Sequence, residues 1–170
     1  MEHTFIILKP DALQRGIVGE IISRFEHVGL KIVAAKIVQP SEAHYYEHYE
    51  TIGKMISRRG QQAFDATLVF MQEGPVLAMV LEGIEAITQV RKMVGTTEPK
   101  SAEPGTVRGD YSHISFEYAN AHGVSIPNLI HASGDAADAK KEIAHWFTPD
   151  ELFTYQTVHE KYTQVKNAKK

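Results

Sequence analysis

Apolar residues in this chain follow two alternating periods, and each switch between them predicts an element boundary. "TFIIL", residues 4 to 8, is a short strand-like run that Lys9-Pro10 stops, since proline cannot extend a hydrogen-bonded ladder. Ile21, Ile22, Phe25 and Val28 then recur at helical spacing, which predicts an amphipathic helix. Gly29 is its stop and "LKIVAAKIV" the second strand. Ser41 is a good N-cap for a helix from Glu42 toward Tyr49. Residues 52 to 66 are weakly patterned and rich in glycine, arginine and glutamine. Gly74-Pro75 opens the strand "VLAMVLE", and Ile84, Ile87, Val90 and Val94 mark one face of a helix that Gly95 ends. Residues 95 to 110 lack periodicity and read as a long ordered loop; loops of this length inside a compact domain are usually functional or disordered. A last strand-helix unit spans residues 126 to 146, and Thr148, Pro149 and Glu151 form a capping box beyond it.

The resulting order is β-α-β-(helices)-β-α-β-α. It predicts an α/β (α+β) chain with a ferredoxin-like, split βαβ sheet and helices packed on it. A single domain is expected over residues 1–165, with residues 166–170 as a flexible tail.

Composition narrows the function. A formal charge of −3 argues against sequence-independent nucleic-acid binding, which needs clustered cations. With no cysteine there is no thiolate nucleophile, disulfide framework or cysteine-based zinc site. The start, MEHTF, carries no signal-peptide pattern, and no apolar stretch reaches the length of a membrane span. These features lead us to expect a cytoplasmic protein with no membrane or nucleic-acid partner.

Candidate chemistry concentrates in "NLIHASGDAADAKKEI", residues 128 to 143. His131 stands between an apolar run and a helix start, followed only by Ala132, Ser133 and Gly134. Small residues permit close approach to the backbone, and a helix N-terminus suits an anion. The pattern suits a nucleophile or base beside a phosphate-sized pocket; the plainer alternative is a polar residue closing a strand. Lys9, Arg91 and Arg108 also leave the sheet or its loops. Together they would serve phosphoryl transfer, where positive charge must meet the oxygens of the moving group. Singly, each reads as a solvated surface cation.

Over nearly its whole length the chain resembles the nucleoside diphosphate kinases. The similarity runs through "TFIILKPDALQRGIVGEIISRFEHVGLKIVAAK", "EHY" at residues 47 to 49, "GPVLAMVLEG", "RKMVGTTEPKSAEPGTVRGDY", "NLIHASG" and "KKEIAHWFTPDEL". The resemblance implies a two-step exchange: a nucleoside triphosphate gives its γ-phosphoryl to His131, and the phosphohistidine passes it to a nucleoside diphosphate. Mg2+ would accompany the nucleotide phosphates. The family's nucleotide-binding lysine, tyrosine, arginines, threonine and asparagine fall on Lys9, Tyr49, Arg91, Arg108, Thr97 and Asn128. Its histidine-orienting glutamate falls on Glu142 and its serine on Ser133. Glu142 lies two helical turns after Asp135, so it shares that helix face and leans back toward His131. Alone, it would read as an exposed helix charge. A homo-oligomer (hexamer, tetramer or dimer) is implied as well.

Three departures from the family pattern bear on the site. Ala132 and Gly134 replace the usual glycine and aspartate, so Asp135 is expected to take over, shifted by one position, as N-cap and as the acidic group that aids magnesium. The segment from Tyr49 to Gly74 is longer than usual and lacks the Arg-Pro-Phe-Phe stretch. Phe64 is then the candidate for stacking on the base, with Met55 and Ile56 as alternatives; anchoring of Phe64 in the core is an equal reading. Extra residues between Asp110 and Asn128 are expected to extend a strand or add a hairpin.

Rival readings exist. His44-Tyr45-Tyr46-Glu47-His48 matches the H-x-x-E-H pattern of one metallopeptidase class, although nine histidines make a chance match credible. An RNA-binding ferredoxin-like module would need paired aromatics on central strands, and these are missing from "TFIIL" and "VLAMVLE". A phosphohistidine carrier would share His131 but not the cations.

Overall fold

The computed structural model describes residues 1–163, so the expected tail at 166–170 lies outside the described residues. In chain order, β1 (Glu2–Leu8) leads through α1 (Pro10–Gln14) and α2 (Val18–His27) to β2 (Lys31–Val38). α3 (Glu42–Tyr46) runs on into a π-helical segment, Glu47–Ile52, and is followed by α4 (Met55–Arg59) and α5 (Gln61–Met71). β3 (Val76–Gly83) and α6 (Ala86–Val94) come next, then a 3-10 turn at Pro99–Ser101, α7 (Val107–Tyr111) and α8 (Phe116–Ala121). β4 (Ile130–Ala132), α9 (Ala136–Trp146), a 3-10 turn at Pro149–Glu151 and α10 (Glu160–Thr163) complete it.

The four strands form one antiparallel sheet in the order β2-β3-β1-β4, the ferredoxin-like arrangement. Both faces are covered, because alternate residues of the central strands enter two cores. Ile6 and Leu8 of β1, with Leu77, Met79 and Leu81 of β3, pack against Ile21 and Phe25 of α2 and Val90 and Val94 of α6. On the opposite face Phe5, Ile7, Val76, Ala78 and Val80 meet Tyr45, Phe64, Leu68, Trp146 and Phe147. Burial on both faces explains why β1 and β3 read as nearly unbroken apolar runs.

Several boundaries differ from those expected. Ile84 precedes α6 and is exposed, since the helix begins only at Ala86. Residues 52 to 66 form α4 and much of α5, separated by Gly60 at a φ of 88°. The loop at 95–110 contains the Pro99–Ser101 turn and leads into α7, which Thr106 caps. The extra residues after Asp110 form neither strand nor hairpin but α8, capped by Ser115. His131 does not follow β4; it is the middle residue of that strand, opposite Ile7. The apolar run begins early because Leu129 is fully buried just before β4; it holds a left-handed φ of 70°, and its carbonyl accepts the Lys9 N–H at 2.8 Å. Among the described residues no helix is long and apolar enough to cross a membrane.

Candidate active site

The end of β1, the start of β4 and the first turns of α9 converge on one side of the sheet. Register does the first part of the work. Ile130 enters one core, and the strand alternation turns His131 to the other face, beside Phe5 and α9. Asp135 caps α9 by accepting the Asp138 N–H at 2.9 Å, which sets the rotation of the helix. Glu142 is thereby carried back over the strand, as its spacing from Asp135 predicts.

The imidazole Nε2 of His131 lies 2.7 Å from Glu142 Oε1. Ser133, fully buried, donates its hydroxyl to Glu142 Oε2 at 2.6 Å and accepts the Phe5 N–H at 3.1 Å. Both oxygens of the buried Glu142 are therefore engaged. A carboxylate on Nε2 fixes the proton there and leaves the Nδ1 lone pair available as a nucleophile. The fully buried His48 is the other neighbour of this ring, edge-on at 4.7 Å between centroids. His48 Nδ1 accepts from Trp146 Nε1 at 3.2 Å. Burial, and secondarily the charge of a protonated His131, holds His48 well below the ordinary histidine range, so it stays neutral.

His131 opens on a cavity of about 440 Å3. Lys9, Tyr49, Arg91, Thr97, Arg108 and Asn128, expected from the resemblance, all line it. Lys9 is buried at the end of β1, and its Nζ donates to Asn128 Oδ1 at 2.7 Å. Burial, partly offset by the Asp11 carboxylate, lowers it to about 8. Asn128 donates in turn to the Thr97 carbonyl at 2.8 Å, so one amide ties lysine to loop. Arg108 is held by the carbonyls of Gly95 at 2.9 Å, Asn128 at 3.2 Å and Ile130. Burial, with Arg91 and Arg59 nearby, brings it down to about 10. Arg91 is exposed and reaches the Ser133 carbonyl at 3.4 Å. These cations face a common space, where a polyanion would relieve their mutual repulsion.

Two expectations fail here. Phe64 is 3% exposed, packs edge-on against the Tyr46 ring and does not line the cavity; the helical period of α5 turns it inward. Of its alternatives, Met55 lines the cavity and Ile56 packs on the core instead. Asp135 does not line the cavity either, because its carboxylate is committed to the cap. Asp138, one turn later, does line it, and the absence of a side chain at Gly134 makes room: a Cβ there would sit 2.7 Å from Asp138 Oδ2. Burial, then the Asp135 and Glu142 carboxylates, raise Asp138 above its usual value.

The H-x-x-E-H match dissolves as well. His44 stacks on His145 at 3.9 Å and belongs to no group with metal-binding spacing among the described residues. The residues with metal-binding spacing among those described are His48, His131 and Glu142, two of which already bond each other. Residues that sequence reasoning did not assign to the cavity include His48, Arg58, Arg59, Asp138 and Ile126. His48 carried a signal, one position before Tyr49, but it was spent on the metallopeptidase pattern.

Comparison with known proteins identifies the family. The family model described as nucleoside diphosphate kinase matches residues 2–152. A nucleoside diphosphate kinase of Borreliella burgdorferi is 44% identical over 156 residues, covering 92% of this chain and 93% of that protein. One from Thermococcus kodakarensis is 45% identical, covering 91% and 82%. Among solved structures, the Borrelia burgdorferi kinase with bound vanadate and ADP, a transition state mimic, superposes with a TM-score of 0.92. It is 43% identical and the match covers 95% of this chain and 96% of that one. By fold, site and sequence, the chain belongs to the nucleoside diphosphate kinase family and is a nucleotide phosphotransferase.

Proposed function

We propose that the chain moves a γ-phosphoryl group from a nucleoside triphosphate to a nucleoside diphosphate through a phosphohistidine on His131. In the first half-reaction Nδ1 of His131 forms the N–P bond as the bond from γ-phosphorus to its bridging oxygen breaks, and the diphosphate departs. In the second, a terminal oxygen of another diphosphate attacks the phosphohistidine and the imidazole leaves. Glu142, held by Ser133, keeps the proton on Nε2 and stabilises positive charge that develops on the ring. Lys9, Arg108 and Arg91 offset charge on the transferred oxygens, while Asn128, Thr97 and Tyr49 complete the cradle.

The observation that carries this reading is the 2.7 Å His131–Glu142 contact at the wall of a cation-lined cavity. The donor set also fits Mg2+. Asp138 makes no side-chain hydrogen bond or ion pair among the described residues, and magnesium favours one or two carboxylates together with substrate phosphates. Bound there, the ion supplies charge neutralisation at phosphate oxygens. Met55 and Ile126 offer apolar surface for a base without reading its edge, which suits tolerance of many nucleotides and maintenance of NTP and dNTP pools. A homo-oligomeric assembly belongs to the same reading on the strength of the family resemblance, and a cytoplasmic location on the sequence features given above. The test is γ-labelled ATP with magnesium. Acid-labile label should appear on the protein, chase onto added GDP, and fail to appear on His131→Ala; equal labelling of that variant overturns the mechanism.

A further inference from the structure

The two segments in which this chain departs from its family's pattern meet at the cavity. Arg59 ends α4, and its guanidinium carbon lies 4.9 Å from the centre of the Phe116 ring at the start of α8. The contact is braced. The Phe116 N–H donates to Glu98 Oε1 at 2.8 Å, and the Lys100 N–H to the Ile114 carbonyl at 3.1 Å, so α8 is fastened to the loop that carries Thr97. Thr67 and Ser125 hydroxyls, 3.4 Å apart, make a second link between the two segments.

Arg59 lines the cavity, yet among the described residues it has no carboxylate within ion-pair distance and no hydrogen-bond acceptor. Its neighbour Arg58 is already occupied by the Gly53 carbonyl at 3.1 Å. A cation–π contact takes up no hydrogen-bond acceptor, so the N–H fork of the guanidinium is left unused. That fork matches phosphate oxygens. Arg59 is also exposed where Lys9 and Arg108 are buried, so it approaches from the outer side of the phosphate cradle.

We propose that Arg59, positioned by Phe116, is an additional phosphate-binding residue that contacts the nucleotide phosphates that are not transferred. The inference rests on the kinase reading above and assigns to the two extra segments a shared task, which is to add an exposed cation to the cavity that the buried Lys9 also lines. Lys9 and Arg108, both lowered chiefly by burial, are lowered further by the charge of Arg59, as expected of cations gathered for one polyanion.

An interaction made equally in the ground and transition states acts on KM more than on kcat. Magnesium-ADP titration calorimetry, exchange kinetics and thermal melts on wild type, Arg59→Ala, Arg59→Lys and Phe116→Leu form the test. Arg59→Ala should raise the Kd for ADP roughly tenfold, the scale of one lost hydrogen bond to a charged group, and should flatten its dependence on salt. The rise should fall on KM more than on kcat, with the melt unchanged. Phe116→Leu should give a smaller rise, and adding it to Arg59→Ala should give no further loss. Arg59→Lys should recover only part. Wild type that binds ADP and exchanges phosphoryl groups, alongside Arg59→Ala with equal affinity, overturns the role of Arg59 alone. Wild type that does neither overturns both this inference and the kinase reading.

Discussion

Lys9 places a cation in a buried position before any nucleotide arrives, and removing it should therefore stabilise the free protein. A lowering from 10.5 to about 8 means that charging this lysine is harder in the fold than in the unfolded chain. The difference is roughly 3 kcal/mol at neutral pH, at about 1.4 kcal/mol per unit. Replacement by methionine keeps the volume of the stem and removes the charge. It also forfeits the bond to Asn128, worth roughly 1 kcal/mol. Lys9→Met should then gain about 2 kcal/mol, or roughly 4–8 °C in Tm for a chain of this size. The sign with pH is fixed. The unfolded chain binds more protons than the fold between about 8 and 10.5, so wild-type stability rises across that window and the advantage of the variant fades there. Melts at pH 7 and pH 10, each with and without magnesium-ADP, measure all of this. ADP should raise the wild-type Tm strongly and the variant's little, because the charge that destabilises the free protein is the charge that meets phosphate. A variant less stable than wild type at pH 7, or an advantage that does not shrink by pH 10, would refute the argument.

Two further outcomes follow from the corrected side chains. Phe64→Ala should lose about 3–5 kcal/mol of stability, as expected for a phenylalanine 3% exposed, while its affinity for ADP well below the melt stays at the wild-type value; weakened binding with an unchanged melt would restore the stacking role. Gly134→Ala should push the Asp138 carboxylate aside and raise the magnesium concentration needed for half-maximal exchange, as should Asp138→Asn; unaltered magnesium dependence in both would remove Asp138 from the site.

The parts legible in the sequence are those where one period persists. β1 and β3 declare themselves because two covered faces demand apolar residues at every position, and α2 and α6 because a single stripe repeats for two turns or more. The short helices were hidden. α4, α7 and α8 span five or six residues, too few for a stripe to repeat, and the apolar positions of α5 serve more than one neighbour. At the site, Lys9, Arg108 and Asn128 follow from a motif because backbone carbonyls and one amide hold them wherever the flanking strands run. Asp138 and Arg59 depend on helix phase and on a contact across 57 residues, which no local pattern records.

The π-helical segment at Glu47–Ile52 carries one more consequence. Its wider turn is closed by the Gly53 N–H bonding the His48 carbonyl at 3.1 Å, five residues back rather than four. It carries His48 against His131 and brings Tyr49 to the cavity wall. Each residue of a helix advances the rotation by about 100°. A single deletion here would let the segment relax to an ordinary α-helix, keeping the phase of what flanks it but swinging the side chains inside the wide turn, His48 and Tyr49 among them, off their present aim. The aim of this wall is thus a matter of counting. Substitutions alter what projects from it, whereas a change of length by one alters where His48 and Tyr49 point.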